Sequence, residues 1–518
     1  MKSALPFMLA ALATSAWGQR PASLRDWTAE LAGEPGPKPK LACKDLRSLT
    51  GYEFSVISAS LVPAAAEAPE HCRVNGLIQP EIRFQVNLPT AWNRRFYMFG
   101  NGGLAGEPME SPGKAAPRAL AVRHGFAVAD TNTGHDAATE PMASFAASPQ
   151  KLIDFAFRSV HVTAETAKKI IQAYYGTPAA RSYFVGCSTG GRQGLALAQR
   201  FPADFDGIVS GAPVLNMSAH RVAGIWRHRA LDAAPIAVTQ LKVLAERVYG
   251  QCDSKDGLAD GLIDDPRRCG FSPARDLPKC AGETEAPDCF TSKQIQALEK
   301  IYGDVMSQGK RIFPGMPVGA EIADAGGVSG WNGVVRREGT GTGSVAFAES
   351  VLRYIAFPEK NLNYQLSSFD FDRDPPRLAW MSSLLDATDP DLARFRDRGG
   401  KLIMYHGWAD AGVNPIMAIE YYESVLERLG PATTNFARLF LVPGMFHCGG
   451  GVGTSSFDAV TAMIRWVEQG RAPAQLLAAR LEGGKAIRTR PLCPYPETAK
   501  YKGSGSIDEA ASFTCAAQ

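Results

Sequence analysis

The stretch that most constrains the fold of this chain is Gly-Cys-Ser-Thr-Gly at residues 186–190. A short β-prone run at 182–185 leads into it, and a helical pattern from Arg192 to Phe201 follows it. A Gly-x-Ser-x-Gly motif between a strand and a helix is typical of a nucleophile elbow, a sharp turn that exposes the serine hydroxyl. The flanking glycines fit because a Cβ there would clash. The pattern predicts Ser188 as a catalytic nucleophile, with an ordinary glycine-rich turn as the alternative.

Strands and helices alternate on both sides of this motif. Strand-like runs are expected at 81–88, 95–100, 125–130, 205–210, 399–406 and 438–443, and helical spacing at 155–175. This alternation is typical of a mostly parallel α/β sheet, formed here by residues 19–213 and 386–518. Residues 214–385 interrupt the alternation and hold four of the ten cysteines. We therefore interpret 214–385 as an inserted segment.

The first 18 residues have the pattern of a secretory signal peptide. Lys2 supplies a positive start, residues 5–16 form a short apolar core, and Ala-Trp-Gly at 16–18 is a small-x-small cleavage site. The apolar core is too short for a stop-transfer helix, and no other apolar run reaches about 20 residues. The sequence therefore predicts a secreted or periplasmic protein without a membrane span, with a membrane-anchored N-terminus as the alternative.

Charge and cysteine content exclude some classes of function. The formal net charge is only +3 over 518 residues, and no stripe is dense in Lys and Arg. Binding to nucleic acid is therefore not expected. Ten cysteines, an even number, suggest disulfides in an exported chain. No Cys-x-x-Cys pair or paired His-x-His spacing argues for zinc.

A serine nucleophile needs a base, and the base needs an acid that orients it. In hydrolases with this elbow the chain order is Ser, then Asp or Glu, then His. Asp410 and His447 each follow the end of a predicted strand, where α/β folds place functional residues. The expected triad is therefore Ser188, Asp410 and His447. Three other acids compete for the role of Asp410 but precede the strand: Asp386, Asp389 and Asp391.

Ester cleavage passes through an oxyanion that needs two preplaced N–H donors. The residue after the nucleophile supplies one of them, which here is Thr189. A glycine-rich loop after an early strand supplies the other, and the loop at 101–106 fits that role with Gly103 as the donor. A plain turn at this place is the alternative.

Two cysteines flank the expected catalytic pair. Cys187 immediately precedes Ser188, and Cys448 immediately follows His447. If the serine and the histidine share a hydrogen bond of ~3 Å, their chain neighbours are close enough to consider bridging. We predict a disulfide that ties the elbow to the histidine loop, with two buried free cysteines as the alternative.

An acidic loop at 252–264, inside the insertion, is a candidate metal site. Several carboxylates and turn glycines close together suit a hard cation with oxygen ligands, and Ca²⁺ is the expected ion. The loop is not an EF-hand, since Lys255 and Gly257 stand where that loop needs ligands. The expected ligands are the side chains of Asp253, Asp256 and Asp260 and the carbonyls of Leu258 and Leu262. A structural role is expected, and a solvated acidic turn is the alternative.

Together these motifs resemble the tannase and feruloyl esterase family. The resemblance is carried, in order, by residues 186–194, 252–264, 389–392, 399–410, 443–450 and 490–496. It implies an α/β-hydrolase core with a lid domain at 214–385, the triad named above, and Ca²⁺ in the lid loop. It also implies five disulfides: Cys187–Cys448, Cys43–Cys72, Cys252–Cys269, Cys280–Cys289 and Cys493–Cys515.

The resemblance also indicates a substrate pocket, in which His406 matches a position near the pocket of the family. Further candidates for an aromatic pocket are Trp331, Phe347, Arg353, Tyr354 and Phe357, although packing inside the lid would also explain each of them. The expected function is that of a secreted serine carboxylesterase for small aromatic esters of the feruloyl, hydroxycinnamoyl or galloyl type. Terephthalate monoesters are an alternative substrate class. A non-catalytic, calcium-stabilised binding protein on a hydrolase fold is the alternative from another class.

Overall fold

The structure is a computed structural model that describes residues 34–322, 324–331 and 344–517. The predicted signal peptide, residues 1–18, lies outside the described residues. The strands, numbered in chain order, are β1 (Ser55–Val62), β2 (His71–Ile78), β3 (Ile82–Pro89), β4 (Arg95–Phe99), β5 (Ala127–Thr131), β6 (Arg181–Cys187), β7 (Gly207–Gly211), β8 (Val305–Ser307), β9 (Lys310–Phe313), β10 (Asp324–Ala325), β11 (Val328–Ser329), β12 (Lys401–Gly407), β13 (Ala437–Val442), β14 (Ser456–Phe457), β15 (Leu476–Glu482), β16 (Lys485–Leu492), β17 (Thr498–Tyr501) and β18 (Phe513–Ala516).

A sheet of nine strands, in the order β1-β2-β3-β5-β4-β6-β7-β12-β13, forms the centre of the fold. The six strands from β5 to β13 in this order pair in parallel, whereas β1, β2 and β3 form an antiparallel edge. Every residue of β4, β5 and β7 is buried, as expected for parallel strands that are covered on both faces. The predicted mostly parallel α/β sheet is confirmed.

The predicted strands correspond to β3, β4, β5, β7, β12 and β13, and their ends differ from the prediction by at most two residues. Such differences are expected, because a hydrophobic pattern marks the buried residues rather than the first and last hydrogen bond. The predicted helix at 155–175 begins as a π-helical turn, Asp154–Arg158, and continues as a regular helix.

Helices cover both faces of the sheet. They are α1 (Pro112–Arg123), α2 (Pro149–Ile153), α3 (Ser159–Tyr175), α4 (Thr189–Arg200), α5 (Met217–Ala233), α6 (Val238–Cys252), α7 (Pro273–Asp276), α8 (Ser292–Tyr302), α9 (Ser344–Tyr354), α10 (Ala379–Leu385), α11 (Ala393–Asp397), α12 (Pro415–Leu429) and α13 (Ala459–Gln469). On one face α3, α4 and α12 contribute Ile170, Leu195 and Val425 to a shared core. On the other face α1 and α13 contribute Leu120 and Met463.

The predicted insertion leaves the sheet after β7 and returns to it before β12. These two strands are neighbours in the sheet, with Ile208 opposite Leu402. The inserted segment carries α5 to α10 and the small hairpins β8–β9 and β10–β11. Its two ends meet where the Ala387 N–H donates to the Leu215 carbonyl over 2.7 Å. This supports an insertion at the predicted place, while the division into a core and a lid domain stays a prediction.

Two apolar clusters join the insertion to the loops that follow the central strands. One cluster brings Val351 of α9 against Leu104 and Val413, which follow β4 and β12. The other brings Leu298 of α8 against Phe446, which follows β13. Burial of each such side chain stabilises the fold by roughly 1.5–3 kcal/mol. The insertion therefore packs directly on the loops that carry the candidate catalytic residues.

Five disulfides join all ten cysteines: Cys43–Cys72, Cys187–Cys448, Cys252–Cys269, Cys280–Cys289 and Cys493–Cys515. These are the five pairs that the family resemblance implies. The last of them connects the loop after β16 to β18, beyond the central sheet. Within the described ranges no helix is both long and apolar enough to cross a membrane.

Candidate active site

The elbow has the backbone geometry that its sequence predicts. β6 ends at Cys187, α4 begins at Thr189, and Ser188 between them has φ +63° and ψ −121°. This φ is rare for a residue with a side chain, and such strain is often found at functional sites. A Cβ on Gly186 would lie 2.4 Å from the Gly190 backbone, and a Cβ on Gly191 would lie 2.3 Å from a carbonyl oxygen. These contacts explain the glycine at 186 within the motif and the glycine at 191 directly after it.

The loops after β12 and β13 bring the predicted acid and base together. His447 Nδ1 lies 2.7 Å from Asp410 Oδ2. The other carboxylate oxygen of Asp410 accepts hydrogen bonds from the Gly412 and Val413 N–H groups, each over 2.8 Å. Asp410 is fully buried, whereas His447 keeps 30% of its side chain exposed. With Nδ1 donating to the acid, Nε2 is the nitrogen that can act as a base.

The charges of this pair stabilise each other. Burial by itself raises the pKa of Asp410, but the charge of His447 and hydrogen bonds from His447 and His406 lower it well below the ordinary value. Burial lowers the pKa of His447, but the charge and the hydrogen bond of Asp410 together raise it above the ordinary value of 6.5. Asp410 therefore favours the protonated form of His447, as the acid of a triad must.

The disulfide between Cys187 and Cys448 joins the elbow to the histidine loop, with Cα atoms 5.9 Å apart. Ser188 and His447 are the chain neighbours of the two cysteines, so the bridge limits the distance between them. In the part of the chain that the structure describes, Ser188 and His447 form no direct hydrogen bond, and in substrate-free sites this bond is often long or poorly aligned.

The glycine loop after β4 packs against the start of α4. The Thr189 hydroxyl donates to the Gly103 carbonyl over 2.6 Å, and the Asn101 N–H donates to Gln193 Oε1 over 3.0 Å. Gly103 has φ +51° and is exposed, and a Cβ on it would meet no atom within 4 Å. The first N–H groups of a helix have no acceptor within it, so the Thr189 N–H is available. The structure thus brings Gly103 and Thr189 together, and their role as oxyanion donors stays a prediction.

Two of the pocket candidates, His406 and Trp331, are interior residues. His406 is fully buried behind the acid, with Nε2 3.0 Å from the Val413 carbonyl and 3.3 Å from Asp410 Oδ2. Trp331 is 1% exposed and stacks on Tyr302 with ring centroids 5.6 Å apart. Neither side chain presents a surface that a substrate could contact.

Further candidates pack within the insertion. The guanidinium of Arg353 donates to the Tyr364 carbonyl over 3.0 Å and to Glu349 over 3.2 Å, so its donors are largely occupied. Phe357 is 7% exposed, and Tyr354 packs against the same apolar cluster. For these three residues, packing of the lid is the better interpretation.

Phe347 is the remaining pocket candidate, and it has a partner that the sequence analysis missed. The guanidinium of Arg221, on α5, lies over the Phe347 ring at 4.3 Å from its centroid. Nothing in the sequence around Arg221 distinguishes it from other lid arginines. Its position over the Phe347 ring is a property of the folded chain.

In the acidic loop at 252–264, aspartate carboxylates accept hydrogen bonds from backbone N–H groups of the loop itself. Asp253 accepts from the N–H groups of Asp260 and Gly261 over 3.1 and 3.0 Å. Asp256 accepts from the Leu258 N–H over 2.9 Å, and Asp260 accepts from the Leu262 N–H over 3.2 Å. Throughout residues 34–322, 324–331 and 344–517, no three His, Cys, Asp or Glu side chains converge as a ready metal site.

The chemistry of the loop nevertheless fits a hard cation. Burial, followed by repulsion from Asp256 and Asp260, raises the pKa of Asp264 to about 8. Arg490 offsets part of the negative charge through an ion pair with Asp260. Carboxylates crowded together in a partly buried loop are stabilised by a divalent ion, and oxygen ligands suit Ca²⁺. The residues therefore fit calcium, and its binding stays a prediction.

A separate cleft lies between this loop and the C-terminal strands, lined among others by Asp264, Arg267, Trp408 and Tyr495. Neither Ser188 nor His447 lines it. The cleft is therefore distinct from the candidate active site.

Known proteins are similar in sequence to this chain over most of its length. Residues 66–516 match the family described as "Tannase and feruloyl esterase". The mono(2-hydroxyethyl) terephthalate hydrolase of Piscinibacter sakaiensis is 36% identical, over 89% of this chain and 87% of that protein. Feruloyl esterase B of Aspergillus niger is 31% identical, over 88% of this chain and 89% of its own length.

Solved structures extend the likeness to the fold. The crystal structure of feruloyl esterase B from Aspergillus oryzae has a TM-score of 0.80 at 28% identity, covering 92% of this chain and 99% of that one. Tannin acyl hydrolase from Aspergillus niger has the same fold, with a TM-score of 0.73 at 21% identity, over 93% of this chain and 96% of that one. The chain therefore belongs to the tannase and feruloyl esterase family of carboxylic ester hydrolases and has its α/β-hydrolase fold.

Proposed function

We propose that this protein is a serine carboxylesterase that hydrolyses esters of aromatic acids through an acyl-enzyme. The observation that carries the proposal is the 2.7 Å hydrogen bond between His447 and Asp410, beside the disulfide from Cys187 to Cys448. An oriented histidine covalently tied to the residue before an elbow serine is what nucleophilic catalysis by that serine requires.

In the proposed reaction Ser188 Oγ attacks the ester carbonyl while His447 Nε2 takes the hydroxyl proton. The carbonyl oxygen becomes an oxyanion, which accepts hydrogen bonds from the N–H groups of Gly103 and Thr189. The intermediate then expels the alcohol, which receives the proton from His447. Water, deprotonated by His447, attacks the acyl-enzyme, and the carboxylic acid leaves as Ser188 regains its proton.

Asp410 supports both halves of the reaction by stabilising the protonated form of His447. Two backbone N–H groups and two histidines hold the carboxylate in one orientation. Such a preorganised acid needs no rearrangement when the positive charge forms on His447. Removal of triad members in serine hydrolases typically lowers kcat by factors of about 10⁴ or more.

Ca²⁺ has a structural role in this proposal. Bound by Asp253, Asp256, Asp260 and the carbonyls of Leu258 and Leu262, it would neutralise the carboxylates and hold the 252–264 loop in one conformation. The loop belongs to the insertion and not to the triad, so no step of the reaction involves the ion.

The substrate class follows from the names of the relatives, which mention feruloyl and terephthalate esters. Both acids are aromatic, and a mostly apolar pocket with a few polar groups is the kind of site that binds such rings. The proposed substrates are feruloyl, hydroxycinnamoyl or galloyl esters, with terephthalate monoesters as the second class. The five disulfides support export to the periplasm or the exterior.

A panel of methyl esters tests this function, with hydroxycinnamate, gallate, terephthalate and aliphatic acyl groups. The wild-type protein should hydrolyse aromatic esters with saturation kinetics, and Ser188→Ala should abolish turnover at an unchanged melting temperature. Ser48→Ala, an exposed serine far from the elbow in the chain, is the matched control and should retain activity. Turnover by Ser188→Ala would remove Ser188 from the mechanism. Saturable binding of the esters without any hydrolysis by the wild type would favour the binding protein.

A further inference from the structure

The helix of the elbow carries a buried glutamine that binds the oxyanion loop, residues 101–106. Gln193 on α4 is fully buried. Its Oε1 accepts the backbone N–H of Asn101 over 3.0 Å, and its Nε2 donates to Asn101 Oδ1 over 3.4 Å. Both polar atoms of the amide therefore bind one residue, which is the first of the loop. Gln193 is not a member of the triad, and no step of the proposed reaction uses it.

The partners of the two amides fix their orientation. A backbone N–H only donates, so the atom of Gln193 that faces it must be the oxygen. On its other side, Asn101 Nδ2 donates to the Thr131 carbonyl at the end of β5 over 2.7 Å, so the oxygen of this amide faces Gln193. Lys114 Nζ donates to the same carbonyl over 2.6 Å. The first residue of the loop is thus connected both to the elbow helix and to the central sheet.

Gln193 lies one helical turn after Thr189, which binds the same loop. The Thr189 hydroxyl donates to the Gly103 carbonyl over 2.6 Å. Residues i and i+4 of a helix share a face and lie about 6 Å apart along its axis, and two residues of extended chain span at most about 7 Å. The two contacts on the helix therefore match the two contacts on the loop in spacing, and the loop lies along one face of α4.

Two glycines allow this close approach of the loop to the helix. A Cβ on Gly100, directly before the loop, would lie 2.6 Å from the Gly190 Cα and 3.0 Å from Gln193 Oε1. A Cβ on Gly190 would lie 3.2 Å from the Asn101 carbonyl oxygen. The loop backbone therefore rests directly on the first turn of α4. In this buried contact Gln193 supplies the acceptor that the Asn101 N–H requires.

The two expected oxyanion donors, Gly103 and Thr189, belong to the segments that these contacts join. In the part of the chain that the structure describes, neither N–H donates to another protein group. The two residues are 86 positions apart in the chain, so the distance between their N–H groups depends on how firmly the loop is held to the helix. Each donor must lie about 2.7–3.1 Å from the developing oxyanion. A loosened loop would therefore displace the Gly103 N–H from this position while Thr189 stays in place.

We propose that Gln193 is a positioning residue of the oxyanion hole, which holds the oxyanion loop so that the Gly103 N–H points to the same oxyanion as the Thr189 N–H. This inference rests on the proposed esterase function. Gln193 touches neither the substrate nor the reacting atoms, and it acts through Asn101 and the loop. Its removal should weaken the stabilisation of the tetrahedral intermediate and leave the binding of the ground-state ester unchanged.

Kinetics of a variant of nearly equal volume test this role. Gln193→Met keeps the length of the side chain but loses the acceptor for the Asn101 N–H. With methyl hydroxycinnamate, well below the melting temperature, it should lower kcat about 10- to 100-fold, and KM should stay within about twofold of the wild type. The loss should not exceed the roughly 10²- to 10³-fold that follows the removal of an oxyanion donor, because here the donor is displaced and not removed.

Gln199→Met is the matched control on the same helix. Gln199 Nε2 donates to the Ala387 carbonyl and to the Tyr421 hydroxyl, each over 2.9 Å, so its amide also connects α4 to remote segments. These segments do not include the oxyanion loop. The control should therefore change kcat by less than about threefold, even where it lowers the melting temperature as much as Gln193→Met does.

Inhibitor binding separates positioning from a general loosening of the site. Benzeneboronic acid forms a reversible tetrahedral adduct with a catalytic serine, in which a boronate oxygen takes the place of the oxyanion. It should inhibit Gln193→Met about 10-fold more weakly than the wild type. Hydroxycinnamate, the product acid, forms no tetrahedral centre and should inhibit both equally. Gln193→Ala leaves a polar cavity in which water satisfies the Asn101 N–H without fixing the loop, so it should show the same losses if Gln193→Met does not fold.

Wild-type kcat in the Gln193 variants, or a loss no larger than that of Gln199→Met, would overturn the positioning role and leave the esterase function standing. The same conclusion follows if the loss lies wholly in KM, or if the boronic acid and the product acid lose affinity equally. Absence of turnover by the wild type for every ester of the panel would instead contradict the proposed function.

Discussion

Removal of the disulfide between Cys187 and Cys448 should damage both stability and catalysis. The two cysteines are separated by 261 residues in the chain. In the chain-entropy description, a bridge that closes a loop of this length destabilises the unfolded state by about 5.6 kcal/mol. The bridge between Cys43 and Cys72 closes only 29 residues, which corresponds to about 3.6 kcal/mol. It lies far from the catalytic loops in the sequence and serves as the matched control.

The catalytic effect should separate the two bridges more clearly than the stability effect. Without the Cys187–Cys448 bond, only non-covalent contacts hold the histidine loop against the elbow. A displacement of about 1 Å between reacting groups lowers the rate by roughly 10²-fold. We therefore expect the Cys187→Ala/Cys448→Ala variant to lose about 10²-fold in kcat/KM. The Cys43→Ala/Cys72→Ala variant should lose less than about threefold, because its bridge does not touch the site.

The assay compares thermal unfolding and ester hydrolysis of both double variants with the wild type, well below every melting temperature. Non-reducing peptide mapping of the wild type first verifies the two cross-links. The reasoning is refuted if both variants retain wild-type kcat/KM, or if both lose activity to the same extent. In either case the Cys187–Cys448 bridge would stabilise the fold without positioning the catalytic residues.

Three further changes address the acid, the oxyanion loop and the metal. Asp410→Asn should lower kcat by about 10⁴-fold. Because Asp410 raises the pKa of His447 above 6.5, the acidic limb of the kcat/KM profile should also move to lower pH in this variant, and an unmoved limb would exclude this coupling. Thr189→Val removes the hydrogen bond to the Gly103 carbonyl and should lower kcat about 10-fold at unchanged KM, whereas a pure rise in KM would place the residue in substrate binding. Chelation of Ca²⁺ should lower the melting temperature far more than kcat at 25 °C, and an unchanged melting temperature would contradict the metal in the 252–264 loop.

Local sequence patterns predicted the strands and the elbow of this fold well, because hydrophobic periodicity and the glycines of a tight turn depend on neighbouring residues. The elbow is an example, since a Cβ on Gly186 would lie 2.4 Å from the backbone of Gly190, within the strand–turn–helix unit itself. Strand positions around it were predicted to within two residues. The π-helical turn at Asp154–Arg158 was not predicted, because nothing in a hydrophobic pattern distinguishes it from a turn of regular α-helix.

The tertiary structure shows how the expected acid differs from its three competitors. Asp386 accepts from the Ser218 N–H in the first turn of α5 over 3.0 Å, and Asp389 accepts from the N–H two residues later, so both carboxylates have other partners. Asp410 alone among the four candidates reaches His447. The pocket residues depended on the tertiary structure to a greater extent. The sequence does not distinguish Trp331 and His406 from residues that contact substrate, but the fold buries both.

By itself the sequence determined the fold class, the elbow with Ser188, and the order of acid and histidine behind it, because each is encoded in short stretches whose geometry is local. Only the tertiary structure decided how remote stretches meet. It set Asp410 against His447, and it buried Trp331 and His406 in the interior. The physical reason is that pairing and burial are properties of the space between chain segments, which no single segment specifies.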